Sequence, residues 1–91
     1  MPRPAMDDRT REILIAAVQA GGSGFPPEPA IARAIAEGNR ELTTNQLKFD
    51  SLAWMEFCIS VELQSGQELA PEDIEGMRYV FEIEEWLRAR L

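Results

Sequence analysis

Residues 47–64, with the sequence LKFDSLAWMEFCISVELQ, are the stretch that most strongly predicts the fold. Apolar side chains recur here at the three- and four-residue spacing of an amphipathic helix. We therefore predict a helix that starts near Ser51, runs to about Gln64 and ends at Gly66. Its expected core face consists of Leu52, Met55, Cys58 or Ile59, and Leu63, widened by Trp54, Phe57 and Val61.

The start of the chain predicts a second long helix. Residues 1–6 contain two prolines and are expected to be a loose end. A helix then begins at Asp7 or Asp8, either of which can cap it, and runs to about Ala20. Glycines end it, and its apolar face is formed by Ile13, Leu14, Ile15, Ala17 and Val18.

A long connection, residues 21–50, joins these two helices. Its first part, GGSGFPPEP, cannot be regular structure because glycines loosen the backbone and prolines lack an N–H donor. Residues 30–37 predict an extra short helix that stops at Gly38. Residues 39–49 are predicted to be a loop, which Leu42, Leu47 and Phe49 attach to the core. Segments of this length often carry function or shape a surface.

The C-terminal region predicts two more helices. Pro71, with acidic residues after it, favours a short helix that ends near Gly76. A last helix covers roughly Tyr79 to Arg90 and has Val80, Ile83 and Leu87 on its core face. No run alternates long enough to predict a strand. The expected fold is all-α, a four-helix bundle of three larger helices and a short third one, in a single domain spanning residues 7–91.

The composition excludes several classes of function. The 91 residues suit one domain, and they carry a net charge of −7. This charge argues against nucleic-acid binding and anionic membranes, and it favours basic protein partners. The absence of histidine excludes Ser-His-Asp and Cys-His sites and an H-E-x-x-H zinc site. Acid/base catalysis by carboxylates remains open in principle, but nothing in the sequence pairs them with a pocket, a metal or a cofactor motif. We therefore predict that the protein is not an enzyme.

Cysteine usage and hydropathy indicate where the protein acts. Cys58 is the single cysteine, which excludes an internal disulfide and a cysteine-rich metal cluster, and we expect no metal site. We predict a buried, inert thiol in a reducing compartment. The chain lacks both a membrane-spanning stretch and the apolar core of a signal peptide. A cytoplasmic protein without membrane insertion is expected.

The acidity is concentrated in the C-terminal half. Residues 51–91 carry nine acidic and three basic side chains, a net charge of −6, whereas residues 1–50 are nearly balanced. One interpretation is a solvated helical surface that keeps a small protein soluble. The other is a surface presented to basic partners.

Ser51 is the candidate site, because it lies where the loop becomes the helix. One interpretation is an N-cap that satisfies a free backbone N–H, which is a common use of serine. The other is an exposed hydroxyl at a helix N-terminus, where an attached phosphodiester would meet free N–H groups and the helix dipole. Without histidine the chain offers Ser51 no obvious general base, so another protein would have to activate it.

The segment around Ser51 resembles the prosthetic-group attachment site of acyl carrier proteins. The family has a leucine, often a glycine, an apolar residue and then Asp-Ser-Leu at the start of its second helix. The matching residues here are Leu47, Lys48, Phe49, Asp50, Ser51 and Leu52. Further matches are Met55, Glu56 and Glu62, the stretch ELAPEDI at 68–74, and Met77, Val80, Ile83 and Leu87. The resemblance covers residues 42–91 well.

The resemblance implies a covalent cofactor. Ser51 would receive 4'-phosphopantetheine from coenzyme A through a separate Mg²⁺-dependent phosphopantetheinyl transferase. The terminal thiol of the arm would then carry an acyl group as a thioester. Asp50 would help present the site to the transferase, and Leu52 completes the attachment motif.

The resemblance also assigns partner and cargo residues. Glu56 and Glu62 would contact basic docking patches on acyl-loading and acyl-processing enzymes. Because carriers that visit several partners are usually monomers, the resemblance implies a monomer. Trp54 and Phe57 either form an exposed docking patch or pack against the inserted loop. In the family, the cargo is sheltered between the second and third helices. The residues that match the lining of this space are Phe49, Met55, Ile59 and Ile74. Packing in the hydrophobic core is the alternative role for these four side chains.

Departures from the family favour a specialised stand-alone carrier over one of housekeeping fatty-acid synthesis. Lys48 replaces the common glycine, Trp54 and Phe57 replace small or acidic residues, and the first loop is longer. The cargo could be acyl, polyketide or aminoacyl. An unmodified helical interaction module, which would dock through its acidic half, is the alternative function.

Overall fold

Five helices make up the computed structural model, which describes the backbone of residues 5–91 and the side chains of residues 9–91. They are α1 (Ala5–Gly21), α2 (Pro29–Glu37), α3 (Ser51–Ser65), α4 (Pro71–Glu75) and α5 (Val80–Arg88). One short 3₁₀ helix, Thr44–Leu47, precedes α3. Residues 5–91 contain no strand. The predicted all-α bundle, including a short extra helix between its first two long helices, is therefore confirmed.

The core lies where α3 packs along α1, with α5 completing it. Burial of its apolar side chains removes their surface from water and is the main force holding the helices together. The predicted core residues of α1 and α5 are buried, apart from Ile15, which is only partly so. The buried apolar side chains from these three helices are Ile13, Leu14, Ala17, Val18, Phe57, Cys58, Val61, Val80, Ile83 and Leu87.

Helix boundaries follow the glycine signals in the sequence. Gly38 and Gly66 have φ values of 69° and 76°, a left-handed conformation that glycine adopts without steric cost. Gly38 also leaves room for Arg11, because a Cβ atom there would collide with the Arg11 guanidinium. The backbone of α1 is helical from Ala5, two residues before the predicted start. The predicted cap concerns Asp7 and Asp8, whose side chains lie outside the described part of the chain, as do residues 1–4 of the predicted loose end.

The predicted core face of α3 is confirmed for Phe57, Cys58 and Val61, which are buried, and is wrong for four of its other members. Leu52 and Leu63 are 62% and 81% exposed, and Met55 and Ile59 are also exposed, whereas Phe57 is completely buried. Apolar side chains occur on nearly every face of this helix, so their spacing cannot select one face. The observed orientation buries the larger Phe57 ring against the core, where it removes more apolar surface from water.

The segment before α3 is held against the start of α5. Residues 39–49 were predicted to be loop, but residues 44–47 form the 3₁₀ helix, which Thr43 and Gln46 cap reciprocally. The Thr44 N–H donates to the Arg78 carbonyl at 2.8 Å, and the Val80 N–H donates to the Leu42 carbonyl at 2.9 Å. Leu42 and Leu47 are buried, as expected. These contacts fix the position from which α3 begins.

A buried carboxylate joins α1 to α5. Glu84 is only 6% exposed, and its Oε2 accepts from Arg88 on the same helix and from Arg11 Nε at 3.3 Å. Arg11 also donates to the Ala36 carbonyl of α2. Charge-assisted hydrogen bonds of this kind compensate the cost of removing the carboxylate from water.

Glu84→Ala is expected to lower the free energy of unfolding by about 3 kcal/mol, because it removes the carboxylate that two partly buried arginines share. Urea unfolding monitored by circular dichroism measures the loss. Glu85→Ala is the matched control, since Glu85 is exposed and lies 3.6 Å from Arg40, and such surface pairs contribute about 0–1 kcal/mol. Equal losses in the two variants would contradict this role for Glu84.

Candidate functional site

Asp50, not Ser51, caps helix α3. The Asp50 carboxylate Oδ1 accepts a hydrogen bond from the Ala53 N–H at 2.8 Å, and the Asp50 carbonyl accepts from the Trp54 N–H at 3.0 Å. The interpretation of Ser51 as the N-cap is therefore wrong. Ser51 is the first helical residue and is exposed, and within the described residues its hydroxyl has no hydrogen-bond partner. Its Oγ is thus available to react at a helix N-terminus.

A tight reversal of the backbone at Lys48 presents this hydroxyl. Lys48 has φ 58° and ψ 38° and ends the 3₁₀ helix, with its N–H donating to the Asn45 carbonyl at 3.0 Å. This left-handed conformation favours glycine, and a residue with a Cβ pays about 1–2 kcal/mol for it. The reversal lets Phe49 enter the interior while Asp50 and Ser51 stay on the surface. A lysine gives no local signal for a left-handed backbone, so the sequence did not predict this turn.

A groove of about 960 Å³ lies between α3 and α4, and Ser51 is one of its lining residues. From α3, further lining residues extend as far as Glu62. Apolar and acidic side chains both line it. The apolar lining residues include Trp54, Met55, Cys58, Ile59 and Ile74. The acidic lining residues are Glu62, Glu68, Glu72 and Glu75.

Three of the four predicted cargo residues line the groove. Met55 and Ile59 contribute from α3, and Ile74 contributes from α4. The prediction for Phe49 is wrong, because its ring packs on the α1 side of α3. A Cβ atom on Gly21 would lie only 2.7 Å from that ring. Trp54 lines the groove instead, a position that the sequence did not predict because it assigned Trp54 to a docking patch or to packing against the inserted loop.

The predicted aromatic docking patch does not form. Phe57 has no exposed surface, and Trp54 is partly buried between the rings of Phe49 and Phe57. These aromatics pack against Phe49 and against each other beside the start of α3. Glu56 and Glu62 are both exposed on α3, where a partner could reach them.

Cys58 forms part of the groove floor. It is 4% exposed, and burial raises the pKa of its thiol from 9.0 to about 11, with smaller contributions from Asp73 and Glu72. Since the folded-state pKa exceeds the unfolded value, the unfolded chain loses this proton first. The contribution of Cys58 to stability is therefore complete below pH 9 and is lost as the pH rises from about 9 to about 11.

At pH 8 the Cys58 thiol is expected to react with an alkylating reagent at least about 100-fold more slowly in the folded protein than in urea. The rise of the pKa from 9.0 to about 11 reduces the reactive thiolate at pH 8 by this factor, and burial adds to the effect. Thiol labelling followed by mass spectrometry measures both rates. Comparable rates in the folded and unfolded states would contradict the prediction that Cys58 is a buried, inert thiol.

The described part of the chain provides neither a metal cluster nor a membrane span. No group of three or more Cys, Asp or Glu side chains among these residues could hold a metal ion. None of the described helices has the length and hydropathy needed to cross a bilayer. No protein-family model, curated protein or solved structure matches this chain.

Proposed function

We propose that this protein is a carrier that holds an acyl group as a thioester on a 4'-phosphopantetheine arm attached to Ser51. The observation that carries the proposal is the exposed Ser51 hydroxyl, which is free of capping and borders the groove between α3 and α4. A hydroxyl in this place can be reached by a modifying enzyme. The adjoining groove offers apolar surface to whatever is attached.

The residues around Ser51 fit a phosphodiester. The Asp50 side chain occupies only the Ala53 N–H, so the N–H groups of Ser51 and Leu52, which lack intrahelical partners, can face a phosphate. The dipole of the 15-residue α3 adds about 0.3–1 kcal/mol for an anion at this end. Lys48 supplies a positive charge three residues before the attachment point.

The attachment reaction needs a separate transferase. Ser51 Oγ forms a bond to the β-phosphorus of coenzyme A, and 3',5'-adenosine bisphosphate leaves. The Ser51 proton passes to a base of the transferase, because this chain contains no histidine to accept it. Once attached, the arm supplies a terminal thiol that forms the thioester with the acyl group.

Partners and cargo follow from the surfaces beside Ser51. Exposed Glu56 and Glu62 present negative charge to basic patches on the transferase and on acyl-processing enzymes. Met55, Ile59 and Ile74 provide apolar contact for an acyl or polyketide chain, and an aminoacyl cargo is the alternative. We assign the protein to the reducing cytoplasm, where the Cys58 thiol would persist.

The exposed face of α3 favours one other function, an unmodified interaction module. Leu52, Met55, Ile59 and Leu63 form an exposed apolar row beside Glu56 and Glu62. A basic amphipathic helix could bury this row while pairing with the carboxylates. In that case Ser51 would be dispensable.

The proposal is tested by incubating the purified protein with coenzyme A, Mg²⁺ and a promiscuous phosphopantetheinyl transferase. We expect an intact-mass increase of one phosphopantetheinyl group, which peptide mapping should assign to Ser51. A known carrier protein in the same reaction is the positive control. If that control is modified and the mass of this protein stays unchanged, the carrier function is excluded and the interaction module remains.

A further inference from the structure

Ser51 and Trp54 share one face of α3. They are three residues apart, so they lie about 4.5 Å apart along the helix axis and on neighbouring positions of its surface. Both line the groove between α3 and α4. Trp54 is therefore the large apolar side chain that follows the attachment point by one helical turn on the groove side.

Two neighbouring rings hold the Trp54 indole in place. The ring centroids of Phe49 and Trp54 are 5.0 Å apart, with an interplanar angle of 78°. The ring centroids of Phe57 and Trp54 are 5.1 Å apart, with an interplanar angle of 73°. These edge-to-face contacts are favourable. Phe57 is completely buried, and Phe49 is packed against Gly21, so neither ring can move aside easily. The indole is a rigid surface whose remaining part lines the groove.

We propose that Trp54 is an arm-positioning residue, which packs against the part of the phosphopantetheine arm nearest Ser51 and directs the arm along the groove. This inference rests on the proposed function. After its phosphate the arm has one methylene group and then a carbon that bears two methyl groups, and this branched apolar part is the one within reach of Trp54. The amides, thiol and cargo lie farther from Ser51.

Other apolar residues near Ser51 do not fit this role. Leu52 is adjacent in sequence but 62% exposed, and it lies outside the groove lining. Met55 lines the groove but has a flexible side chain that is half exposed, so ordering it against the arm would cost more conformational entropy. The rigid indole loses little freedom on contact.

Proton NMR of the modified full-length chain, with the arm thiol free, tests the proposal. In the wild type, the two arm methyl resonances should shift upfield from their positions in free phosphopantetheine, because they lie over an aromatic ring. Trp54→Leu keeps an apolar side chain but removes the ring, so the shift should be lost while the phosphopantetheinyl mass is still gained. Trp86 lies near the C-terminal end of α5 and does not line the groove. Trp86→Leu is therefore the matched control and should retain the shift.

Tryptophan fluorescence provides a second readout, because the chain contains only Trp54 and Trp86. In Trp86→Phe, modification of Ser51 should change the emission of Trp54, and in Trp54→Phe it should leave the emission of Trp86 unchanged. Unshifted arm methyls and constant emission in a protein with the full mass gain would overturn the inference but not the proposed function. Absence of the mass gain would overturn both.

Discussion

Replacement of Ser51 by alanine should abolish phosphopantetheinylation completely while leaving the fold intact. The side chain supplies the single oxygen atom to which the phosphorus would bind, and no neighbouring hydroxyl occupies the same position at the α3 N-terminus. Intact-mass analysis after reaction with coenzyme A and transferase measures the effect. Ser60→Ala is the matched control on the same helix, since its hydroxyl accepts a hydrogen bond from Gln64 at 2.8 Å, and it should gain the same mass as the wild type.

Stability measurements separate this chemical role from a capping role. Because Asp50 is the cap, Ser51→Ala should change the free energy of unfolding by less than about 0.5 kcal/mol. Asp50→Ala should lower it by about 1 kcal/mol, the usual effect of losing an N-cap. A mass gain on Ser51→Ala equal to that of the wild type would rule out Ser51 as the attachment site.

Phe57→Ala should cause the largest loss of stability, about 3–5 kcal/mol, because it removes a fully buried ring and leaves a cavity where α3 faces α1. That amount is a large share of the about 5–14 kcal/mol expected for a domain of this size. The Phe49 and Trp54 rings would also lose a partner. Urea unfolding, monitored by circular dichroism, measures the loss.

The matched control for Phe57 is Leu63, which lies on the same helix and is 81% exposed. Leu63→Ala should change stability by less than about 0.5 kcal/mol. The sequence pattern alone placed both residues on the core side of the helix, Leu63 in the main apolar set and Phe57 as a residue that widens it. A larger loss for Leu63→Ala than for Phe57→Ala would show that α3 has the other orientation.

Local signals account for the parts of the fold that could be predicted. Gly38 and Gly66 end their helices because left-handed backbone is least costly for glycine, and Pro71 begins α4 because its missing N–H is not needed there. The start of α3 at Ser51 also followed from local pattern. The prediction that Met55, Ile59 and Ile74 lie together rested on resemblance to a family, and the groove contains all three.

Two details of the candidate site, the residue that caps α3 and the direction of the Phe49 ring, could not be predicted from the sequence. Asp50 and Ser51 are both good N-caps, and sequence cannot say which carbonyl starts the helix. Asp50 becomes the cap because of the left-handed backbone at Lys48 and the hydrogen bonds that join residues 42–44 to Arg78 and Val80 at the start of α5. Phe49 then points towards α1 rather than into the groove, because the space beside Gly21 accommodates its ring.

The sequence by itself determined the number and approximate limits of the helices, the exclusion of histidine chemistry and the place of Ser51 at a helix start. These depend on residue type and short-range spacing. Only the tertiary structure decided which face of α3 is buried, which side chain caps it and which aromatic ring lines the groove. Nearly every face of α3 carries apolar side chains, so its orientation is set by how well each face packs against α1 and α5, which spacing along the chain does not reveal.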